Sequence, residues 1–178
     1  ANGSLKGKSL MDLIDEIPNE ILGTKVYERF GKQFPLLFKY LDACEDLSIQ
    51  VHPNDKLAKE RHNSFGKTEM WYVMQADEEA RIIVGFKEDS SKEEYIEHLN
   101  DKTLVSILDD VKAKSGDVFF LETGTVHAIG AGLVVAEIQQ TSDITYRLYD
   151  FERKDAEGNT RELHVDLALD AINYNKVD

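Results

Sequence analysis

Between residues 35 and 151 the chain is a series of short apolar segments separated by glycine-bearing or acidic turns, and this punctuation limits the fold more than any other feature. Segments 35–41 and 47–52 flank an acidic turn at 42–46; segments 69–74, 81–86, 117–121, 126–129, 133–140 and 144–151 follow. Turns fall at Ser115-Gly116, Thr123-Gly124 and 130–132. The segments are rich in β-branched and aromatic residues and bounded by turn formers, so each reads as a strand. Many short strands at close spacing predict a sandwich or barrel. The interruptions are charged: 55–62 and 92–110 predict surface helices, the latter one or two. Residues 164–172, apolar at Val165, Leu167, Ala168, Leu169 and Ile172, predict a closing helix. Near the N-terminus Leu10, Leu13, Ile14 and Ile17 recur at helical spacing, with Ser9 as N-cap and Pro18 as the stop. No repeat, low-complexity tract or long linker divides the 178 residues, and a hydrophobic content of 42% predicts one buried core.

Charge narrows the partners. With 21 Lys and Arg against 34 Asp and Glu, the formal net charge of −13 repels phosphate backbones and anionic lipid, so neither nucleic acid nor a membrane surface is expected. An anionic small molecule needs a local cluster of cations to overcome that field. The longest apolar runs, such as 118–121 and 133–136, fall far short of the roughly 18 residues that span a bilayer. Cys44 stands alone and cannot form an internal disulfide, and the N-terminus lacks a basic-then-apolar leader pattern; both predict a cytoplasmic setting. A first residue of Ala rather than Met points to a trimmed chain.

Two segments offer metal ligands. In 49–55, strand alternation turns Gln50 and His52 to one face, about 7 Å apart along the backbone. In 116–127 a strand, a glycine turn and His127 follow in order. The spacing of Gly116, Gly124 and His127 is similar to the second motif of cupins, with Glu122 where that motif has proline. The first cupin motif carries two histidines two apart and a glutamate soon after; here Gln50 replaces the first histidine, and an intervening helix delays the glutamate to Glu69.

Segments 49–55, 66–72, 124–130 and 140–147 together resemble the type I mannose-6-phosphate isomerases, and the resemblance runs in order from about 34 to 151. It implies a mainly β, cupin-type double-stranded β-helix, or jelly-roll barrel, with several peripheral α-helices. It implies one Zn2+ held by Gln50, His52, Glu69 and His127. With a single carboxylate the site keeps a net positive charge, and an unsaturated ligand set leaves room for water or a sugar oxygen. The implied reaction converts mannose 6-phosphate to fructose 6-phosphate through a cis-enediol. That requires a base to carry a proton between C1 and C2 and positive charge to stabilise the enediolate. Glu137, ten residues before Arg147 and expected on an adjoining strand, is the candidate base. Arg147, always charged, suits the enediolate oxygens. Lys67 shares the face of Glu69 if the strand extends that far, and Lys39 interrupts an otherwise apolar strand. Lys39, Lys67 and Arg147 supply the cation cluster for a phosphosugar, and Lys67 joins Glu137 and Arg147 among the candidate catalytic groups.

Structural roles stand beside these. His62 and His98 lie in charged helical stretches and read as solvated, and His164 reads as a capping or packing group. Trp71, Phe119, Phe120 and Tyr149 read as core or pocket wall, and the acidic runs 77–79 and 88–89 as solvated turns. Glu137 sits in an apolar strand whose alternation could turn it to solvent. Members of the resembled family are longer, which implies a single cupin-like domain lacking an N-terminal segment and a second β-domain. Two other readings compete: an iron-dependent dioxygenase, against which Gln50 argues because such sites use two histidines and a carboxylate, and a non-catalytic sugar-binding module with a structural metal.

Overall fold

The computed structural model describes residues 2–177, which form two compact units parting between Leu37 and Phe38. The first contains three short helices, α1 (Leu10–Glu16), α2 (Pro18–Leu22) and α3 (Thr24–Phe30). A reciprocal cap opens α1: the Asp12 N–H donates to the Ser9 hydroxyl at 3.1 Å, and the Ser9 N–H donates to the Asp12 carboxylate at 2.8 Å. Pro18 stops α1 and also begins α2, where its missing N–H has no intrahelical partner to lose.

The second unit is built from β1 (Leu36–Ala43, from Phe38 onward), β2 (Ile49–Val51), α4 (Asp55–His62), β3 (Glu69–Ala76), β4 (Arg81–Phe86) and α5 (Lys92–Asn100). Next come β5 (Leu108–Lys112), β6 (Val118–Leu121), β7 (His127–Ile129), β8 (Leu133–Gln140), β9 (Tyr146–Tyr149) and α6 (Val165–Ala168). The strands form two sheets, ordered β1-β8-β3-β6 and β5-β4-β7-β2-β9, the mainly β, cupin-type arrangement with peripheral helices. Sequence reading missed β5: Leu108-Asp109-Asp110-Val111-Lys112 is too charged to look like a strand. Its position explains the charge, since edge strands carry ionic side chains and this one offers Asp110 to Arg81 at 2.7 Å and Lys112 to Glu79 at 3.1 Å. The closing helix is also shorter than expected, a single turn from Val165 to Ala168.

Two apolar clusters divide the core. Between the sheets lie Ala43, Trp71, Val73, Ile82, Leu121, Ile129, Leu133 and Val135. On the far side of the second sheet, Ile49, Val51, Phe86, Tyr146 and Leu148 pack with Tyr95 of α5 and Ala168 of α6. The strand register grades the interior. Along β3, Trp71 faces Glu137 and Val73 faces Val135, whereas Glu69 faces Gln139. Along β7, Ile129 faces Ile82, whereas His127 faces Gln50. One end of the interior is therefore hydrocarbon and the other polar. The outer face of the first sheet is unusually apolar for an exposed surface, with Phe38, Tyr40, Tyr72, Met74, Val118 and Phe120 all open to solvent. Phe120, expected in the core or a pocket wall, belongs to this face, because the strand turns Phe119 inward.

Candidate metal centre

Three strands bring four side chains together at the polar end. Gln50 projects from β2, His52 follows that strand directly, His127 opens β7 and Glu69 opens β3 on the opposite sheet. His52, Glu69 and His127 are each about 1% exposed, and a ligating atom from each lies within 4.8 Å of the others. Gln50 joins them, its Nε2 3.3 Å from His127 Nε2.

Two glycines bring these strand ends together. Gly66, whose N–H donates to Asp55 at 2.8 Å, lies so close to the start of α4 that a Cβ there would sit 2.7 Å from the Asp55 backbone nitrogen. This fold-back carries Lys67 and Glu69 alongside His52. Gly124, at φ 91°, donates its N–H to the His52 carbonyl at 2.9 Å and so draws the His127 turn onto the end of β2.

Backbone carbonyls fix both imidazoles. His52 Nδ1 lies 2.9 Å from the Ile144 carbonyl and His127 Nδ1 lies 2.8 Å from the Thr125 carbonyl. A carbonyl only accepts, so each Nδ1 carries the proton. Burial keeps both rings neutral: it pushes His52 below the ordinary histidine value and His127 down to about 4, with His52 adding to the latter shift. Each Nε2 then presents a bare lone pair, the arrangement in which an outer carbonyl orients a metal-binding histidine.

Glu69 is the one anion among these groups. Burial alone would raise its pKa; positive charge beside it, a proton on His52 or His127 and the Lys67 ammonium, lowers it well below the carboxylate range. Its Oε1 is 3.0 Å from Lys67 Nζ and 3.4 Å from His52 Nε2, yet neither contact has hydrogen-bond alignment. Among the described residues, His52 Nε2 and Glu69 Oε1 are therefore buried polar atoms without a hydrogen-bond partner; Tyr95 Oη, in the helix-covered core, is a third. A buried imidazole lone pair on His52 facing a Glu69 oxygen, with neither atom in a hydrogen bond, is costly unless a cation joins them. Neutral nitrogen, carboxylate oxygen and the Gln50 amide oxygen form a donor set suited to a divalent metal of the zinc type.

The candidate catalytic side chains are arranged unevenly. Lys67 is buried against Glu69, and Lys39 lies 2.6 Å from Glu137 Oε1 while also donating to Gln139. Glu137 points inward, 4% exposed, so the alternation of β8 does not turn it to solvent. Arg147 faces Gln50 across β2 and β9, but its guanidinium donates to the Glu162 carbonyl at 2.9 Å and to Ser48 at 3.4 Å. Glu137 and Arg147 are not on adjoining strands: loop 141–145 carries the chain from one sheet to the other, leaving β8 beside β1 and β3 and β9 beside β2.

Trp71, which from sequence reads as core or pocket wall, also hydrogen-bonds to two carboxylates of this region. Its Nε1–H donates to Glu69 Oε2 at 3.1 Å and to Glu137 Oε2 at 3.2 Å. The signal is the two-residue rhythm Lys67, Glu69, Trp71: Glu69 and Trp71 share one face of β3, and Lys67 lies two residues before the strand begins. His164 accepts the Arg147 N–H at 3.1 Å, and His62, though exposed, lies 2.8 Å from the Tyr146 hydroxyl. A cleft of about 490 Å³ beside β9, lined by Lys102, Asp150, Glu152, Arg153 and Arg161, stands apart from this centre, with Lys102 paired to Glu152 and both arginines paired to Asp150.

The fold and the site define a cupin-type barrel protein with a candidate metal centre between its two sheets. Residues 1–88 match the family model described as phosphomannose isomerase type I, catalytic domain. Mannose-6-phosphate isomerase ManA of Bacillus subtilis is 45% identical over 172 residues, covering 96% of this chain and 53% of that protein. The mannose-6-phosphate isomerase of Streptococcus mutans is 43% identical over 175 residues, covering 98% and 54%. The crystal structure of the mannose 6-phosphate isomerase from Bacillus subtilis superposes with a TM-score of 0.90 at 42% identity, covering 100% of this chain and 55% of that one. The chain belongs to the type I phosphomannose isomerase family. It spans about half the length of the curated relatives it matches. Among the described residues, no helix is long and apolar enough to cross a membrane.

Proposed function

We propose that this chain carries the catalytic centre of an aldose–ketose isomerase that interconverts mannose 6-phosphate and fructose 6-phosphate through a cis-enediol. The observation that carries the reading is a pair of buried atoms that make no hydrogen bond, His52 Nε2 and Glu69 Oε1, set beside a base held in an ion pair, Glu137 with Lys39. Gln50, His52, Glu69 and His127 would hold one Zn2+. That ion, when bound, supplies the positive charge that polarises the sugar carbonyl and stabilises the enediolate.

The remaining work falls to the chain's own groups. Glu137 takes the proton from C2 of the aldose and returns it to C1, the hydroxyl proton passes from O2 to O1 at the enediol, and the reverse reaction runs the same exchanges backwards. Lys39 and the Trp71 N–H fix both carboxylate oxygens of Glu137, so the base is oriented before substrate arrives. Lys67, Lys39 and Arg147 provide local positive charge in a chain of net charge −13, which an anionic phosphosugar requires. Support for Arg147 comes from its register opposite Gln50, and its permanent charge suits the enediolate oxygens or the phosphate.

One preparation tests the reading: zinc content and isomerisation of mannose 6-phosphate in a coupled assay, before and after chelation. Near-stoichiometric zinc, with activity lost on chelation and restored by Zn2+, supports it. Zinc without turnover removes the isomerase assignment, and no metal binding at all removes the four-ligand site.

A further inference from the structure

Five groups lie in sequence through the interior. Lys67 Nζ is 3.0 Å from Glu69 Oε1; Glu69 Oε2 accepts from Trp71 Nε1 at 3.1 Å; the same N–H reaches Glu137 Oε2 at 3.2 Å; Glu137 Oε1 is 2.6 Å from Lys39 Nζ. Each carboxylate has one oxygen beside an ammonium, hydrogen-bonded in Glu137 and in ion-pair contact only in Glu69, while its other oxygen accepts from the indole. Two buried carboxylates facing one another repel, and a shared neutral donor is what holds them on opposite sides of one hydrogen. Trp71 cannot drift: it is 1% exposed, is seated between Glu137 and Phe119 by strand register, and has its ring edge-on to His127 at 5.3 Å.

We propose that Trp71 is a positioning residue whose single N–H ties the candidate metal carboxylate Glu69 to the candidate base Glu137, so that occupation of the metal site and placement of the base are coupled. The inference rests on the roles given to Glu69 and Glu137 above. A donor shared by two acceptors goes wholly to one when the other is engaged elsewhere. Engagement of Glu69 by a metal therefore strengthens the hold on Glu137, and loss of the N–H loosens both carboxylates. The indole also reports on its own state, because it is the single tryptophan in the chain.

The test uses the full 178-residue chain and the Trp71→Phe variant, which keeps an aromatic ring and deletes the donor. Zn2+ affinity is measured by chelator competition, thermal unfolding of the metal-free protein serves as the control, and kcat and KM come from the coupled assay. The expected result is Zn2+ binding weakened roughly 10–100-fold, the scale for loss of an outer-shell partner, with kcat reduced and KM changed less than about threefold. Zn2+ affinity within about twofold of wild type overturns the proposal. Wild-type tryptophan emission decides independently, even if the variant does not fold: it is expected to shift on Zn2+ titration and to shift differently in Glu137→Gln. Emission blind to both zinc and Glu137→Gln overturns the coupling. Wild-type protein that binds zinc without isomerising its substrate removes the proposed activity, while the affinity and emission readouts still judge Trp71.

Discussion

Gln50 and His127 stand opposite one another where β2 meets β7, with their side-chain nitrogens 3.3 Å apart. His127 Nδ1 is committed to the Thr125 carbonyl, so its Nε2 accepts from the Gln50 amide in the metal-free protein. When a metal takes that lone pair, the amide can turn over and offer its oxygen. Gln50→Leu keeps the strand and removes this fourth donor. The expected result is Zn2+ affinity lowered at least as much as by loss of an outer-shell partner, about 10–100-fold, with the metal-free protein unfolding close to wild type. Equilibrium dialysis against a weak chelator measures it, and unchanged zinc retention would count against Gln50 as a ligand.

Lys67 and Glu69 are a buried ion pair, both almost wholly removed from water. Deleting one charge leaves the other without compensation, at a cost of about 3–5 kcal/mol. Glu69→Gln is therefore expected to destabilise the metal-free protein strongly, because the Lys67 ammonium is stranded. Lys67→Met with Glu69→Gln is expected to cost clearly less than the sum of the single changes. Urea unfolding in the presence of chelator checks both, and strictly additive effects would mean the pair is not coupled.

The sequence exposed the parts of this site that lie close together along the chain at or beside a strand end. Period-two alternation put Gln50 with His52 and Lys67 with Glu69, and the charged helix 55–62 was legible to the residue. The facing of Glu137 was not legible, because β8 reads as apolar on both sides. Its inner residues Leu133 and Val135 fill the core, while Val134, Ala136 and Ile138 belong to the exposed apolar face of the first sheet. With both faces apolar, alternation carries no sign. The partnership of β8 with β1 and β3, and of β9 with β2, was hidden for a different reason. It depends on which sheet the chain enters after loop 141–145, a choice made by long-range packing rather than local preference.

Lys39 was expected from sequence to meet substrate, but its ammonium is already held by Glu137 and Gln139. Its removal should therefore disturb the base more than binding. Lys39→Met is expected to lower kcat by about 100-fold, within the usual range for a group that supports proton transfer, with a smaller rise in KM. Steady-state kinetics of mannose 6-phosphate isomerisation separate the two parameters. A rise in KM at constant kcat would return Lys39 to a purely binding role.

Gly66 tests whether the fold-back before β3 sets the distance between Glu69 and His52. A Cβ at this position meets the Asp55 nitrogen at 2.7 Å and the Asn54 carbonyl carbon at 2.8 Å, both backbone atoms that cannot swing away. Gly66→Ala is expected to destabilise the fold by about 1–3 kcal/mol, the range for overpacking, and to weaken zinc binding as Glu69 shifts away from the histidines. Loss of stability without loss of zinc affinity would show that α4 moves instead and leaves the site intact.

The Asp150 carboxylate is buried under two guanidiniums, with Arg161 Nε at 2.7 Å and Arg153 Nη2 at 2.7 Å. These hydrogen bonds, Arg161 foremost, hold its pKa below the ordinary aspartate value against the opposing effect of burial. A carboxylate with a depressed folded pKa adds stability that is present above its unfolded pKa of about 4 and disappears as pH falls through the lower folded value. Both arginines are partly exposed, so solvent discounts the pairs, and Asp150→Asn is expected to cost about 1–2 kcal/mol at pH 7. The gap between wild type and variant should hold unchanged down to about pH 5 and narrow only at more acid pH, because the wild type then loses what the variant already lacks. Chemical unfolding of both proteins from pH 7 to 3 follows the gap directly. The cluster lies outside the metal centre, so zinc affinity is expected to be the same in both proteins at pH 7, and a variant that also lost zinc would tie the Asp150 hairpin to the site through β9.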